Sequence, residues 1–117
     1  LFEHAVPAFR AARQGGASVL DASFVMMAHL MQTVDDTTML HRAGPAGLAR
    51  LVADGRWLQV LLADGGNAQG FLETTNRTYI AANMTMGGVA DMIGMSYAWL
   101  IVSGDLAAEE LAALLGD

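Results

Sequence analysis

Apolar residues recur at spacings of three and four along most of this chain, which is the pattern of amphipathic helices. The first such stripe consists of Phe2, Ala5, Val6, Phe9 and Ala12. Gly15-Gly16 follows it and predicts the end of this helix. A second helix is predicted over about residues 19–33 with Ser18 as its N-cap. This helix is apolar on most sides, so we expect it in the core.

The remaining pattern also predicts helices, because β-branched runs and two-residue hairpin turns are missing from the sequence. Pro45 is expected to start a third helix that Gly55 interrupts and Gly65-Gly66 ends. Further helices are predicted over 68–82 and 88–102, and Asp105 is expected to cap a short last helix from Leu106 to Leu115. We therefore predict an all-α bundle of about five to seven helices in a single domain, residues 1–117.

Composition narrows the classes of protein to which the chain can belong. With 54% hydrophobic and 15% charged residues it is not disordered, and without cysteine it holds no disulfide or thiolate zinc site. A net charge of −6 leaves no basic stripe for a nucleic acid. The longest apolar stretch, from Met92 to Ser103, is too short to span a membrane. We expect a cytoplasmic protein, and a start at Leu1 without an initiator methionine suggests a processed or trimmed segment.

The most polar stretch of the chain begins with two adjacent carboxylates, Asp35 and Asp36. Mg²⁺ is commonly held by one or two carboxylates together with substrate phosphates. If the stretch is helical, Asp35, Thr38 and Arg42 share a face, which places a metal-binding acid above an arginine suited to phosphate. His41 would donate to a phosphate or act as a general acid. The structural alternative is a helix-terminal loop with an Asp N-cap and a solvated His-Arg pair.

A second candidate stretch runs from Asn83 to Asp91 and contains a pair of glycines. With Thr85 as N-cap, Gly87 and Gly88 are the second and third residues of a helix, where backbone N–H groups lack partners and favour an anion. Asp91 lies one turn further on the same face, so a phosphate would bind here only with a bridging cation. The alternative is close helix–helix packing at the glycines, with Asp91 bonded to a neighbouring helix.

Together the two stretches resemble motifs of the triphosphoribosyl-dephospho-coenzyme A synthases, the ATP:dephospho-CoA triphosphoribosyltransferases. Members of that family carry an acidic-Asp-Thr/Ser-Asn segment followed by His-Arg-Gly-Gly, and later Asn-(Leu/Ile)-Ser-Pro-Gly-Gly-Ser-Ala-Asp. The corresponding stretches here are residues 35–44 and 83–91, and the departures from the family are Thr38, Ala43, Met86 and Val89. The resemblance covers nearly the whole chain but only the C-terminal part of the family domain, whose N-terminal motifs have no counterpart here.

The resemblance implies a bacterial transferase that moves the triphosphoribosyl group of ATP to 3′-dephospho-CoA and releases adenine. Its product is a prosthetic-group precursor for an acyl-carrier subunit of citrate lyase or malonate decarboxylase type. The implied cofactor is Mg²⁺, and the implied substrates are ATP and dephospho-CoA. Catalytic roles would fall to Asp35, Asp36 and His41, metal binding to Asp35, Asp36 and Asp91, and substrate or phosphate binding to Arg42, Asn83, Thr85, Gly87 and Gly88.

Two other classes of protein stay open on the sequence. One is a divergent or non-catalytic helical module that binds a nucleotide, which the short length and the motif departures favour. The other is a helical oligomerisation domain, because helices that are apolar on most sides leave enough apolar surface for a homodimer. A partner that supplies the missing N-terminal half of the family domain is a further expectation.

Overall fold

The chain forms six helices in the part that the structure describes. A computed structural model describes residues 4–34, 36–82, 84 and 87–115, without the side chains of residues 38, 87–92, 99, 114 and 115. The helices are α1 Ala5–Gln14, α2 Val19–Thr33, α3 Thr37–Ala63, α4 Ala68–Ala81, α5 Gly87–Val102 and α6 Ala108–Leu115. The described residues contain no strand, so the predicted all-α class is confirmed.

Short polar side chains cap α2 and α4. The Ser18 hydroxyl accepts a hydrogen bond from the Asp21 N–H at 3.0 Å, so α2 begins and ends as predicted. The Asn67 side chain caps α4 in the same way, accepting from the Gly70 N–H at 2.9 Å. The turn between α1 and α2 requires a left-handed backbone conformation, and Gly16 adopts it with φ of 96°.

The third helix begins earlier than predicted, although the predicted start at Pro45 coincides with a break in its helical backbone. It starts at Thr37 and bends at Gly44, whose φ of 70° and ψ of −171° interrupt the helical backbone. Pro45 lacks an N–H and therefore fits the first position after the bend. The predicted break at Gly55 is wrong, because this glycine continues the helix and lies against α2.

The last helix begins at Ala108 and not at Leu106, so its predicted cap is also wrong. Asp105 instead accepts from Arg10 Nε at 2.8 Å and from Ser103 Oγ at 2.7 Å. Glu110 takes over the capping role, since its carboxylate accepts from the Ala107 N–H at 3.2 Å. The acid that the sequence assigned to a cap thus ties α1 to the turn before α6.

The core surrounds α2, which contacts α1, α3, α5 and α6. This explains why α2 is apolar on most sides, as the sequence predicted. Its buried residues belong to one core cluster with side chains from α1, α3 and α5, and the fully buried set includes Phe9, Met26, Leu30, Met31, Leu51, Leu58 and Leu100.

Successive helices run in opposite directions along α2. A Cβ built on Gly55 of α3 would lie 2.7 Å from the Met31 Cβ near the end of α2, whereas Gly65 beyond the end of α3 shares a surface cavity with Ala17 before α2. The helix α4 then returns along α3, because the Tyr79 hydroxyl donates to Asp54 at 2.5 Å. Helices α2 and α4 are therefore parallel, and α3 is antiparallel to both.

The helix α5 runs back toward the start of α2. The Tyr97 hydroxyl donates to Ser23 Oγ at 2.7 Å, and Asp105, just beyond α5, binds Arg10 in α1. As a result α2 and α4 end where α3 and α5 begin. We call this end of the bundle the Asp36 end; the turns at 15–18, 64–67 and 103–107 lie at the opposite end.

Candidate functional site

The two sequence-predicted stretches meet the bundle at the Asp36 end. The first stretch joins the end of α2 to α3, and the second joins the end of α4 to α5. Between α4 and α5 the Met84 N–H donates to the Tyr79 carbonyl at 2.7 Å, which keeps the chain beside the end of α4. The alternating helix directions therefore bring two stretches that are far apart in sequence to the same end of the fold.

Asp36 is the N-cap of α3 and is fully buried. Its carboxylate accepts a hydrogen bond from the Met39 N–H at 2.9 Å. Met39 is itself fully buried beside this cap. The Asp N-cap that the sequence analysis gave as a structural alternative is thus present. A carboxylate at the positive end of a helix is also stabilised by the helix dipole. Any chemical role of Asp36 is exerted from this fixed position.

His41 and Arg42 lie on the exposed side of the first turns of α3. Among the described residues Arg42 forms no ion pair, so its guanidinium is available to an anionic ligand. The sequence predicted that Asp35, Thr38 and Arg42 share one helix face. Because α3 starts after Asp36, only Thr38 and Arg42 belong to the helix. Asp35 lies outside the described residues.

The glycine pair lies at the start of α5, which runs from Gly87 to Val102. Since the predicted Thr85 cap is not among the described residues, the register of Gly87 and Gly88 stays a prediction. Their N–H groups still belong to the first turn, where no intrahelical partner exists. Asn83 and Thr85 lie outside the described residues, and Asp91 is described in its backbone only.

The described side chains are compatible with the predicted magnesium site, but they do not by themselves define it. The described residues contain no cluster of three or more His, Asp or Glu side chains that would hold a metal. Mg²⁺ does not need such a cluster, because it takes one or two carboxylates and completes its shell with phosphates and water. Asp36 has the ligand chemistry for this, and Asp35 and the Asp91 side chain are the other predicted donors.

A polar cluster that sequence reasoning missed lies near the same end, between α3 and α4. Asp54 accepts from Arg50 Nε at 3.0 Å and from the Tyr79 hydroxyl at 2.5 Å, and the Arg50 guanidinium lies 5.9 Å from the Tyr79 ring centre. Burial of Tyr79, followed by its hydrogen bond to Asp54, raises the pKa of the phenol above its usual range. The spacing of Arg50 and Asp54 is visible in the sequence, but their partner on α4 is not.

Known proteins carry the same sequence pattern. The family model described as CitG, ATP:dephospho-CoA triphosphoribosyl transferase, matches residues 1–108. The chain belongs to this family. The resemblance seen in the two motifs is thereby confirmed. No solved structure matches the chain significantly.

Curated relatives in this family carry one name, "Probable 2-(5''-triphosphoribosyl)-3'-dephosphocoenzyme-A synthase". The protein of Pseudomonas aeruginosa strain UCBPP-PA14 is 35% identical over 94 residues, which is 77% of this chain and 31% of that protein. The protein of Stutzerimonas stutzeri strain A1501 is 31% identical over 97 residues, 80% of this chain and 32% of that one. The chain therefore spans about a third of the length of these relatives.

The length and hydrophobicity of a helix decide whether it can cross a membrane. None of the helices in the described residues is long and apolar enough to cross a membrane.

Proposed function

We propose that the chain takes part in the transfer of the triphosphoribosyl group of ATP to 3′-dephospho-CoA. The observation that supports this proposal is the shared position of the two family motif stretches, which begin α3 and α5 at the Asp36 end. A reaction between two nucleotides needs both motifs within reach of one pocket. We further propose that adenine is released and that the product serves an acyl-carrier subunit of citrate lyase or malonate decarboxylase type.

The reaction exchanges one bond to the ribose carbon of ATP for another. The 2′-hydroxyl oxygen of dephospho-CoA bonds to C1′ of the ATP ribose, and the bond from C1′ to the adenine nitrogen breaks. The hydroxyl proton is lost and the leaving adenine gains a proton. We assign the proton donor role to His41, an exposed imidazole in the first turns of α3, and the acceptor role to Asp35 or Asp36.

Charge compensation is the main physical demand on this site. Two polyphosphate substrates must bind a chain whose net charge is −6, so the positive groups have to be local. Arg42 would bind a phosphate in two-pronged fashion, and the N–H groups of Gly87 and Gly88 would face a second one. Mg²⁺ held by Asp35, Asp36 or Asp91 would neutralise further triphosphate charge. Asn83 and Thr85 would orient the ribose or base.

The test is release of adenine from ATP in the presence of dephospho-CoA and Mg²⁺, measured by chromatography. Asp36→Asn is the decisive variant, because Asn caps a helix as well as Asp but carries no charge. We expect Asp36→Asn to keep the thermal stability of the chain and to lose adenine release by about 100-fold or more. Asp64→Asn, at the opposite end of α3, is the matched control and should keep full activity.

Arg42→Gln tests the phosphate assignment in the same assay. We expect it to raise KM for ATP, since this exposed guanidinium, which forms no ion pair with the described residues, is the group proposed to bind the nucleotide. Arg10→Gln is the control, because Arg10 pairs with Asp105 at the other end of the bundle. Full activity of Asp36→Asn together with unchanged KM in Arg42→Gln would refute the assigned site.

A second candidate function is nucleotide binding without turnover. The departures from the family motifs at Thr38, Ala43, Met86 and Val89 favour it, because they replace polar or turn-forming residues at the proposed nucleotide site. Such a module would gain thermal stability from ATP and Mg²⁺ while releasing no adenine. The same two measurements therefore separate the two candidates.

A further inference from the structure

Tyr79, in the last turn of α4, is held through both its side chain and its backbone. Its hydroxyl donates to Asp54 Oδ2 of α3 at 2.5 Å, and its carbonyl accepts from the Met84 N–H at 2.7 Å. A backbone bond of this kind, from the residue two beyond the C-cap back to the last turn, ends many helices as part of the Schellman motif. One residue therefore connects α3, the end of α4 and the chain that leads into α5.

The side-chain bond is shielded from water and its acceptor is fixed in position. Tyr79 is 2% exposed and the Asp54 side chain 14%. Arg50 Nε donates to the same Asp54 oxygen at 3.0 Å, and its guanidinium lies over the Tyr79 ring. Hydrogen bonds are stronger where water is excluded, and an ionised acceptor strengthens them further. The end of α4 is therefore held at a defined place on α3.

The backbone bond holds the chain just beyond α4. The Ala82 N–H donates to the Thr78 carbonyl at 3.0 Å, and Met84 is half-buried against the core. Ala82 and Met84 flank the first position of the second motif stretch in the sequence. The stretch that carries the proposed phosphate-binding residues therefore starts at a point that Tyr79 fixes.

We propose that Tyr79 and Asp54 are positioning residues for the second motif stretch and keep its proposed phosphate-binding groups in place. The helix α3 carries the first stretch at its start, and α4 leads into the second. The bond between Tyr79 and Asp54 thus fixes where the second stretch departs from α4 relative to the helix that carries the first. Its consequence for the reaction rests on the proposed function, whereas its effect on the chain beyond α4 is measurable without a substrate.

Tyr79→Phe tests the position of this chain segment without a substrate. The variant loses the hydroxyl but keeps the ring and the carbonyl that accepts from Met84. The measurement is amide hydrogen exchange at Met84, followed by NMR, with Leu30 in the buried part of α2 as the reporter of global opening. We expect Tyr79→Phe to speed exchange at Met84 by about tenfold or more relative to Leu30, because the end of α4 opens locally.

Tyr97→Phe is the matched control for the exchange measurement. The Tyr97 hydroxyl donates to Ser23 Oγ at 2.7 Å between α5 and α2, so this variant also loses one bond between helices. It should leave exchange at Met84 unchanged relative to Leu30. Equal acceleration in the two variants, or no acceleration in Tyr79→Phe, would overturn the proposal.

Steady-state kinetics of adenine release test the consequence for the reaction. The second stretch carries proposed binding groups for phosphate, so a displaced stretch weakens binding of the ground state and the transition state alike. We therefore expect Tyr79→Phe to raise KM for ATP by about tenfold and to change kcat by less than about threefold. A merely structural loss would reduce the folded fraction, which lowers kcat and leaves KM unchanged. That result would overturn the proposal.

Asp54→Asn and Asp54→Leu separate the hydrogen bond from the charge. Asparagine keeps an acceptor for the Tyr79 hydroxyl, whereas leucine removes it. KM for ATP should stay near the wild-type value in Asp54→Asn and rise in Asp54→Leu as it does in Tyr79→Phe. Equal rises in the two Asp54 variants would overturn the assignment to this bond. A wild-type chain that releases no adenine would refute the proposed function, and the exchange at Met84 would then decide the positioning role by itself.

Discussion

Gly55→Ala is the substitution that most directly tests how α3 packs on α2. A Cβ at residue 55 would lie 2.7 Å from the Met31 Cβ, 3.0 Å from the Ala28 carbonyl oxygen and 3.0 Å from Gln32 Cγ. Two of these atoms are backbone or next to it, so the helices themselves must separate. Overpacking of this kind costs about 1–3 kcal/mol. The higher helix propensity of alanine returns about 1 kcal/mol.

Gly94→Ala in α5 is the matched control, because no described atom outside the backbone of its own helix lies within 4 Å of the added Cβ. It receives the same gain in helix propensity without the clash. The difference in the free energy of unfolding between the two variants therefore isolates the packing cost, and we expect about 1–3 kcal/mol. Urea titration followed by circular dichroism at the helix band measures it. If Gly55→Ala is as stable as Gly94→Ala, the close approach of α3 to α2 is wrong.

Three further predictions concern polar groups near the Asp36 end. Tyr79→Phe should cost about 1.5–3 kcal/mol in urea titration, because Asp54 loses a partner at a charge-assisted hydrogen bond. Burial and the hydrogen bond to Asp54 raise the pKa of Tyr79, so at alkaline pH the folded state keeps a proton that the unfolded state loses. The stability contributed by this proton is full below about pH 10 and falls as the pH rises above it. The free energy of unfolding of Tyr79→Phe should therefore fall less steeply at alkaline pH. Asp36→Ala should cost about 1 kcal/mol or more, since it removes the α3 cap, whereas Asp36→Asn keeps an acceptor for the Met39 N–H and should cost less; equal losses would show that capping is not its structural role.

The helices were predictable wherever local chemistry decides them. Ser18 and the apolar pattern after it define α2 because a hydroxyl cap and burial on most sides act within one segment. Glycine positions were harder to interpret. Gly55 seemed a helix breaker in sequence but is a contact point for α2, and only the neighbouring helix distinguishes these two uses.

Long-range pairings account for the other differences. Asp105 is of a residue type that commonly caps helices, yet it binds Arg10, which is 95 residues away in sequence. The cluster of Asp54 and Tyr79 likewise depends on α4 returning along α3. No local pattern reports such partners, because they follow from the packing of complete helices.

The candidate site was predicted as two motifs, and the fold adds their common location. The residue types at Asp36, His41 and Arg42 were readable from sequence, whereas the burial of Asp36 and the exposure of the other two required the structure. The register of Gly87 and Gly88 stays a prediction, because the predicted Thr85 cap lies outside the described residues. The roles assigned to these residues stay predictions.

We propose that a magnesium-bound nucleotide binds at the Asp36 end of the bundle. An amide chemical-shift map of the whole chain titrated with ATP and Mg²⁺ tests this most directly. We expect shifts that cluster at residues 36–44 and 82–88, with little change in the turns at 15–18, 64–67 and 103–107. Shifts centred on those opposite turns, or no saturable shift at any amide, would contradict it.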